Sequence, residues 1–243
     1  MKVTVLGNNG AYPSAGGACS SYLVQSNGLK ILVDAGSGSL SNLMKVMDPA
    51  DLDAIIISHL HWDHITDIPV LYYNLHLGRI KGREIKSIPL YMPDSPAGQF
   101  EIISKFNAFD VNVLNDQSII DIGKLTITTA LMTHPVETYA LKFTDGAKNL
   151  VYSADTTYNP RLPKLASGCS MLMADSAFLD KNITASSPHM SASQCARIAS
   201  DAGIEKLMLT HLMADTDPRT YLDEAIEIFK NTSVTKVMET YEV

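Results

Sequence analysis

His59-Leu60-His61-Trp62-Asp63-His64 is the stretch that decides how this sequence is read. It packs four metal-ligand side chains into six positions, directly after the apolar run Ala54-Ile55-Ile56-Ile57. That run reads as a buried strand, and strand alternation with period two would put His59 and His61 on one side. A turn past the strand end would let Asp63 and His64 face a second point close by. Imidazole nitrogen together with carboxylate oxygen suits zinc or a similar divalent ion, and an open ligand position marks a catalytic site. A chance group of solvated polar residues is the competing explanation, but three of the chain's seven histidines fall within these six positions.

Composition narrows the rest. A chain of 243 residues with 46% hydrophobic content buries a full core, and without a low-complexity linker or internal repeat it reads as one domain over 1–243. A formal charge of -7 argues against a broad basic face for nucleic acid, because such binding comes largely from neutralised phosphates. The three cysteines, Cys19, Cys169 and Cys195, have neither disulfide-framework nor zinc-knuckle spacing and read as free thiols of a reducing compartment, so a cytoplasmic location is expected. Met1 to Gly7 runs straight into a strand without a signal-peptide stretch, and no segment has the apolar length of a membrane span.

Strands are predicted at 2–6, 21–25, 29–34 and 54–58, with a helix around 39–47. Helices follow at 64–78 and 95–108, then strands at 124–131, 139–144 and 150–153. The last third alternates: strand 170–174, helix 192–202, strand 206–210, helix 218–230 and strand 236–240. Two halves, each of strands followed by helices, imply two sheets face to face with helices outside. The expected class is α/β, a four-layer αββα sandwich.

Two metals need more ligands than one motif carries. His134, Asp155 and His211 each stand just after a predicted strand, where a sheet edge gathers side chains. Taken singly, Asp155 could cap a turn, and His134 or His211 could be a core imidazole. Taken in order with the first motif, they resemble the metallo-β-lactamase superfamily over essentially the whole chain. The resemblance implies that His59, His61 and His134 hold one metal, that Asp63, His64 and His211 hold the other, and that Asp155 bridges them. It also gives Asp34 the task of orienting a ligand histidine, with a plain turn residue as the alternative. Diiron oxidoreductases of the superfamily usually carry an acid where this chain has His61, so the expected cofactor is two zinc ions, with manganese or iron as substitutes. Two metals about 3.5 Å apart activate a water for hydrolysis at neutral pH.

Within the superfamily, the Leu6-Gly7 start, the segment His134 to Leu141 and Ser187-Pro188-His189-Met190-Ser191-Ala192 resemble the ribonuclease Z branch of phosphodiesterases. That resemblance places His189 as the acid that protonates the leaving oxygen, Asp175 as its partner, and Asp63 with them among the catalytic groups. An imidazole of near-neutral pKa suits the task. A surface histidine ahead of a helix capped by Ser191 is the bland alternative. His76, alone on a helical stretch with Tyr72, Tyr73 and Leu77, reads as structural.

One departure bears on substrate. Ribonuclease Z inserts a long arm for gripping transfer RNA between its third metal histidine and the bridging acid, whereas His134 and Asp155 stand only 21 positions apart. The acid-bearing His-Glu-Ala-Thr is replaced by Ala174-Asp175-Ser176-Ala177. The expectation is therefore a small or nucleotide-derived phosphodiester, with no extended nucleic acid and no membrane as partners. An acyl hydrolase on the same scaffold is the runner-up, and an idle binding subunit the third reading. Relatives dimerise, and Ile68, Val70, Leu71, Tyr72 and Tyr73 are read as a homodimer surface, with core packing as the rival. Loops 8–19, 36–40 and 156–162 are left to shape the pocket.

Overall fold

Alternation along the central strands sorts the apolar side chains into three layers. The computed structural model describes residues 1–243. The first half runs β1 (Lys2–Gly7), β2 (Asn9–Gly10), β3 (Ser21–Ser26), β4 (Leu29–Val33), α1 (Ser39–Val46), β5 (Ala54–Ile56), α2 (Trp62–Ile65), α3 (Ile68–Ile80), β6 (Ile88–Met92), α4 (Ala97–Ile103) and β7 (Phe109–Val113). The second runs β8 (Ile119–Ile122), β9 (Leu125–Leu131), β10 (Tyr139–Thr144), β11 (Asn149–Tyr152), α5 (Arg161–Ala166), β12 (Met171–Asp175), α6 (Ala192–Asp201), β13 (Lys206–Thr210), β14 (Leu212–Met213), α7 (Pro218–Ile226), β15 (Thr232–Val234) and β16 (Thr240–Glu242).

Ile31 and Val33 of β4, Ala54 and Ile56 of β5, and Met171, Met173 and Met208 of β12 and β13 pack into one cluster. Their alternates Leu32, Ile55 and Ile57 join α1 and α3 in a second cluster, while Leu172, Ala174, Leu207 and Leu209 join α5, α6 and α7 in a third. The first cluster is thus the layer between two sheets, and the other two lie under the flanking helices. Each fully buried Ile or Leu contributes about 1.5–3 kcal/mol, so misplacing one strand by a single residue would forfeit both layers it feeds. The result is the αββα sandwich expected from the sequence.

The sheets have seven strands each, in the orders β16-β1-β3-β4-β5-β6-β7 and β15-β13-β12-β11-β10-β9-β8. Both are mixed: β4, β5, β6 and β7 run parallel, as do β11, β12, β13 and β15. A parallel pair β2–β14 ties the amino-terminal loop to the residues after β13.

Several expected elements differ. The helix expected over 64–78 is two, because the chain breaks at Thr66-Asp67 and Pro69 stands in the first turn of α3, where a missing N–H costs nothing. The helix expected over 95–108 shortens to α4, and the one over 218–230 to α7. No strand covers 236–240: β15 ends at Val234 beside β13, the chain turns, and β16 crosses to pair with β1 in the other sheet. β5 stops at Ile56, so strand alternation does not set the orientation of His59 and His61. No helix is long and apolar enough to cross a membrane.

Candidate metal centre

The loop after β5 carries His59 and then His61, which stands just ahead of α2, so Asp63 and His64 sit on that helix. His134 follows β9, Asp155 follows β11 and His211 follows β13. These strands end on one side of the sandwich, which gathers two sets of ligand atoms that share Asp155, beside a smaller group of Asp175, His189 and His211. One set is His59, His61, His134 and Asp155, and the other is Asp63, His64, Asp155 and His211.

Asp155 belongs to both, with its two oxygens divided between them. Oδ2 lies 3.5 Å from His59 Nε2 and 3.8 Å from His134 Nε2. Oδ1 lies 3.4 Å from His64 Nε2 and 3.3 Å from His211 Nδ1. In the second set, Asp63 Oδ2 stands 3.6 Å from His64 Nε2. In the first, His61 Nδ1 and His134 Nε2 approach to 3.0 Å, close to the roughly 3.3 Å separating two nitrogens bound tetrahedrally to one zinc at 2.0–2.1 Å.

The donor set fits metal ions on a further observation. His59 Nε2, His64 Nε2 and Asp155 Oδ1 are buried and have no hydrogen-bond partner. Polar atoms left this way cost about 1–3 kcal/mol each, so three of them converging on one spot call for a cation. Burial lowers the pKa of His59, His61 and His134, leaving neutral imidazoles with free lone pairs. Burial also works against ionising Asp155, but His211 and His64 outweigh it and keep the group a carboxylate.

The opposite edges of the imidazoles are held by other groups. Asp34, fully buried, accepts from Ser58 N at 2.7 Å and Ser58 Oγ at 2.9 Å, from Tyr152 OH at 3.0 Å, and from His64 Nδ1 at 2.8 Å. It therefore orients a ligand-type histidine and is no plain turn residue. Ser58 Oγ also reaches His59 Nδ1 at 3.0 Å, and His134 Nδ1 lies 3.1 Å from the Pro188 carbonyl; His211 differs, since Ser20 Oγ lies 3.0 Å from Nδ1, the nitrogen that also faces Asp155. Asp34 and His211 adopt left-handed φ of 54° and 56°, and Ala154, next to Asp155, has 52°. Strained backbone at three strand ends aims these side chains sharply inward. We predict that Asp34→Ala, which strands four buried donors, weakens metal affinity about 10- to 100-fold in chelator competition. Unchanged affinity would mean that His64 is held without Asp34.

His189 stands beside the centre, with Nδ1 2.8 Å from Asp175 Oδ2 and 3.9 Å from Asp155 Oδ2. Its ring stacks on His211 at 5.0 Å between centroids. Asp175, fully buried, also accepts from Thr156 N at 3.0 Å and Ala177 N at 3.2 Å. Burial opposes a charge on His189, but the Asp175 carboxylate and its hydrogen bond prevail and raise the pKa to about 9. His76 instead stacks on Tyr72, away from both ligand sets. Sequence reasoning missed Ser20, Ser58 and Tyr152, since nothing local marks a hydroxyl that acts across a fold. The cysteines are free and buried, and burial pushes Cys19 up to about 12 and Cys169 to about 11, which removes them from thiolate chemistry at neutral pH.

The model of the beta-lactamase superfamily domain matches residues 30–212, which includes every residue of both ligand sets. The chain belongs to the β-lactamase superfamily. Probable metallo-hydrolase YhfI of Bacillus subtilis is 36% identical over 213 residues, covering 87% of each chain. The crystal structure of YhfI superposes with a TM-score of 0.94 at 32% identity, over 99% of this chain and 98% of that one. The match places the chain among the metallo-hydrolases of the superfamily. A ribonuclease Z from Methanopyrus kandleri is 24% identical over 259 residues, 92% of this chain and 91% of that protein. A diphosphatase from the PhnP family, at 18% identity and a TM-score of 0.77 over 100% and 97% of the two chains, shares the β-lactamase superfamily fold.

Proposed function

We propose that this metallo-hydrolase is a dinuclear zinc phosphodiesterase acting on a small or nucleotide-derived phosphodiester. The observation that carries the reading is the His189–Asp175 pair set against the divided carboxylate of Asp155. His59, His61 and His134 would hold one ion, Asp63, His64 and His211 the other, with Asp155 between them. When bound, the two ions would supply an activated water and polarise the phosphoryl oxygen.

The rest falls to the chain itself. Asp175 engages His189 Nδ1, so the proton available for transfer is the one on Nε2. Because Asp175 keeps the ring protonated, His189 reaches neutral pH as a proton donor. Cleaving an unactivated phosphodiester expels a strongly basic alkoxide. Transfer of the Nε2 proton to that oxygen as its bond to phosphorus breaks lets it leave as an alcohol, and the neutral ring regains a proton from water. An acyl hydrolase expelling a thiolate or an activated phenolate has less need of such a donor. Kinship with ribonuclease Z and a fold shared with a diphosphatase support phosphoester chemistry, and the 21-position interval between His134 and Asp155 supports a small substrate.

The test is a screen of metal-loaded enzyme against bis(p-nitrophenyl) phosphate, cyclic nucleotides, dinucleotides, short RNA and a few esters. Turnover of phosphodiesters with about two bound metals is expected. Hydrolysis of esters, thioesters or lactams without any phosphodiester turnover would transfer the assignment to an acyl hydrolase, and failure to bind metal would leave a binding subunit.

We also propose a second copy of the chain as partner, through a surface other than the one expected from the sequence. Ile68 and Leu71 are core, and Tyr72 is half-buried against Phe106. The exposed positions from 62 to 80 are Trp62, Thr66, Val70, Tyr73, Leu77 and Ile80, none of them charged. Two copies of a chain carrying -7 repel, so a charge-free apolar face is where they can meet. Light scattering should give twice 26.4 kDa, and Tyr73→Glu should return the monomer. A monomeric wild type would remove this assignment.

A further inference from the structure

Gly10 is buried and lies against a metal-site imidazole, although more than two hundred positions separate it from His211. A Cβ built on Gly10 would fall far inside van der Waals contact with Nε2, Cε1 and Cδ2 of His211, its three nearest atoms. Gly10 is not among the glycines with positive φ, so no left-handed backbone reserves the position for glycine. The nearest obstacle to a side chain at position 10 is the imidazole.

The contact is built from several elements. β2 and β14 pair in parallel, with Asn9 opposite Leu212 and Gly10 opposite Met213. Leu212 N donates to the Asn8 carbonyl at 2.8 Å, and Asn9 Nδ2 donates to the Leu212 carbonyl at 3.2 Å. Asn9 Oδ1 accepts from Ser14 N at 3.1 Å and Ser14 Oγ at 2.9 Å, which fixes the loop behind Gly10. Any retreat would carry the His211 ring away from its present neighbours: His64 stacks on it at 5.3 Å, His189 at 5.0 Å, and Ser20 Oγ holds Nδ1. An added methyl group would therefore displace the ring.

We propose that Gly10 is a positioning residue for the Asp63–His64–His211 half of the metal centre, keeping His211 in its ligand position by leaving empty the volume a side chain would take. The amino-terminal loop thereby sets whether the site holds one ion or two. This inference rests on the dinuclear reading given above.

The test compares wild type, Gly10→Ala, His211→Ala and the double variant, each loaded with zinc, dialysed, and measured for metal content and thermal unfolding. Wild type should retain two ions, and Gly10→Ala should retain one, with the second bound about 10- to 100-fold more weakly. The double variant should match His211→Ala in metal content and unfolding temperature, since the added methyl then meets no ring. If Gly10→Ala alone is insoluble, recovery of folded protein in the double variant locates the conflict at the ring and supports the proposal. Two ions retained by Gly10→Ala at wild-type affinity would overturn it, as would a double variant worse than His211→Ala, which would make Gly10 a general packing residue. A wild type that binds no metal would overturn the dinuclear reading and this inference together, and is recognised by the wild-type measurement alone.

Discussion

Asp155→Ala is expected to release both ions at once and to lower kcat/KM about a thousandfold or more. The reason is the division of its carboxylate, with Oδ2 facing His59 and His134 and Oδ1 facing His64 and His211. Without it, four imidazoles surround a gap that has lost its only shared negative charge. Two-metal activation is worth several kcal/mol, and each 1.36 kcal/mol is tenfold in rate, which sets the size of the loss. His59→Ala should differ, removing a ligand from one set and sparing the other. Metal analysis of the two variants separates these cases: Asp155→Ala protein that still carries two ions would refute the bridging role.

His189→Ala should retain both ions and lose about a hundredfold in rate on an alkyl phosphodiester, but far less on a p-nitrophenyl ester. A p-nitrophenoxide leaves without help, whereas an alkoxide requires the Nε2 proton that Asp175 maintains on the ring. Asp175→Asn should follow the same pattern in milder form, since it leaves the imidazole in place but removes the charge that keeps it protonated. Equal losses for both leaving groups would remove His189 from proton transfer and leave it a wall of the pocket.

The four-layer sandwich and the gathering of ligand residues were legible because both depend on local pattern. β10 and β13 fall at their expected bounds, since Tyr139–Thr144 and Lys206–Thr210 are apolar runs flanked by polar turns. His134, Asp155 and His211 were legible as polar residues placed just after such runs. β6, β7 and β8 were not anticipated: Ile88–Met92 contains Pro89, Phe109–Val113 alternates with Asp110 and Asn112, and both β7 and β8 are sheet edges with half their residues in water. The closing strand failed for another reason, because Thr240–Glu242 is a strand only through β1, a partner at the far end of the chain. The same limit hid Tyr152 and Gly10. A tyrosine in a buried strand and a glycine in a loop look alike wherever they occur, and only packing brings the one to Asp34 and the other to His211.

The division of ligands between the sheets has a mechanical consequence. His59, His61, Asp63 and His64 extend from the sheet of β5, and His134, Asp155 and His211 from the sheet of β9, β11 and β13, so each ligand set draws on both. A cation in either set is therefore a cross-link over the seam where the two sheets meet. Neither half of the chain can loosen without surrendering the ion, and an ion present at a hundred times its Kd adds about 2.7 kcal/mol against such loosening. The chemistry and the cohesion of the two halves thus depend on the same few side chains.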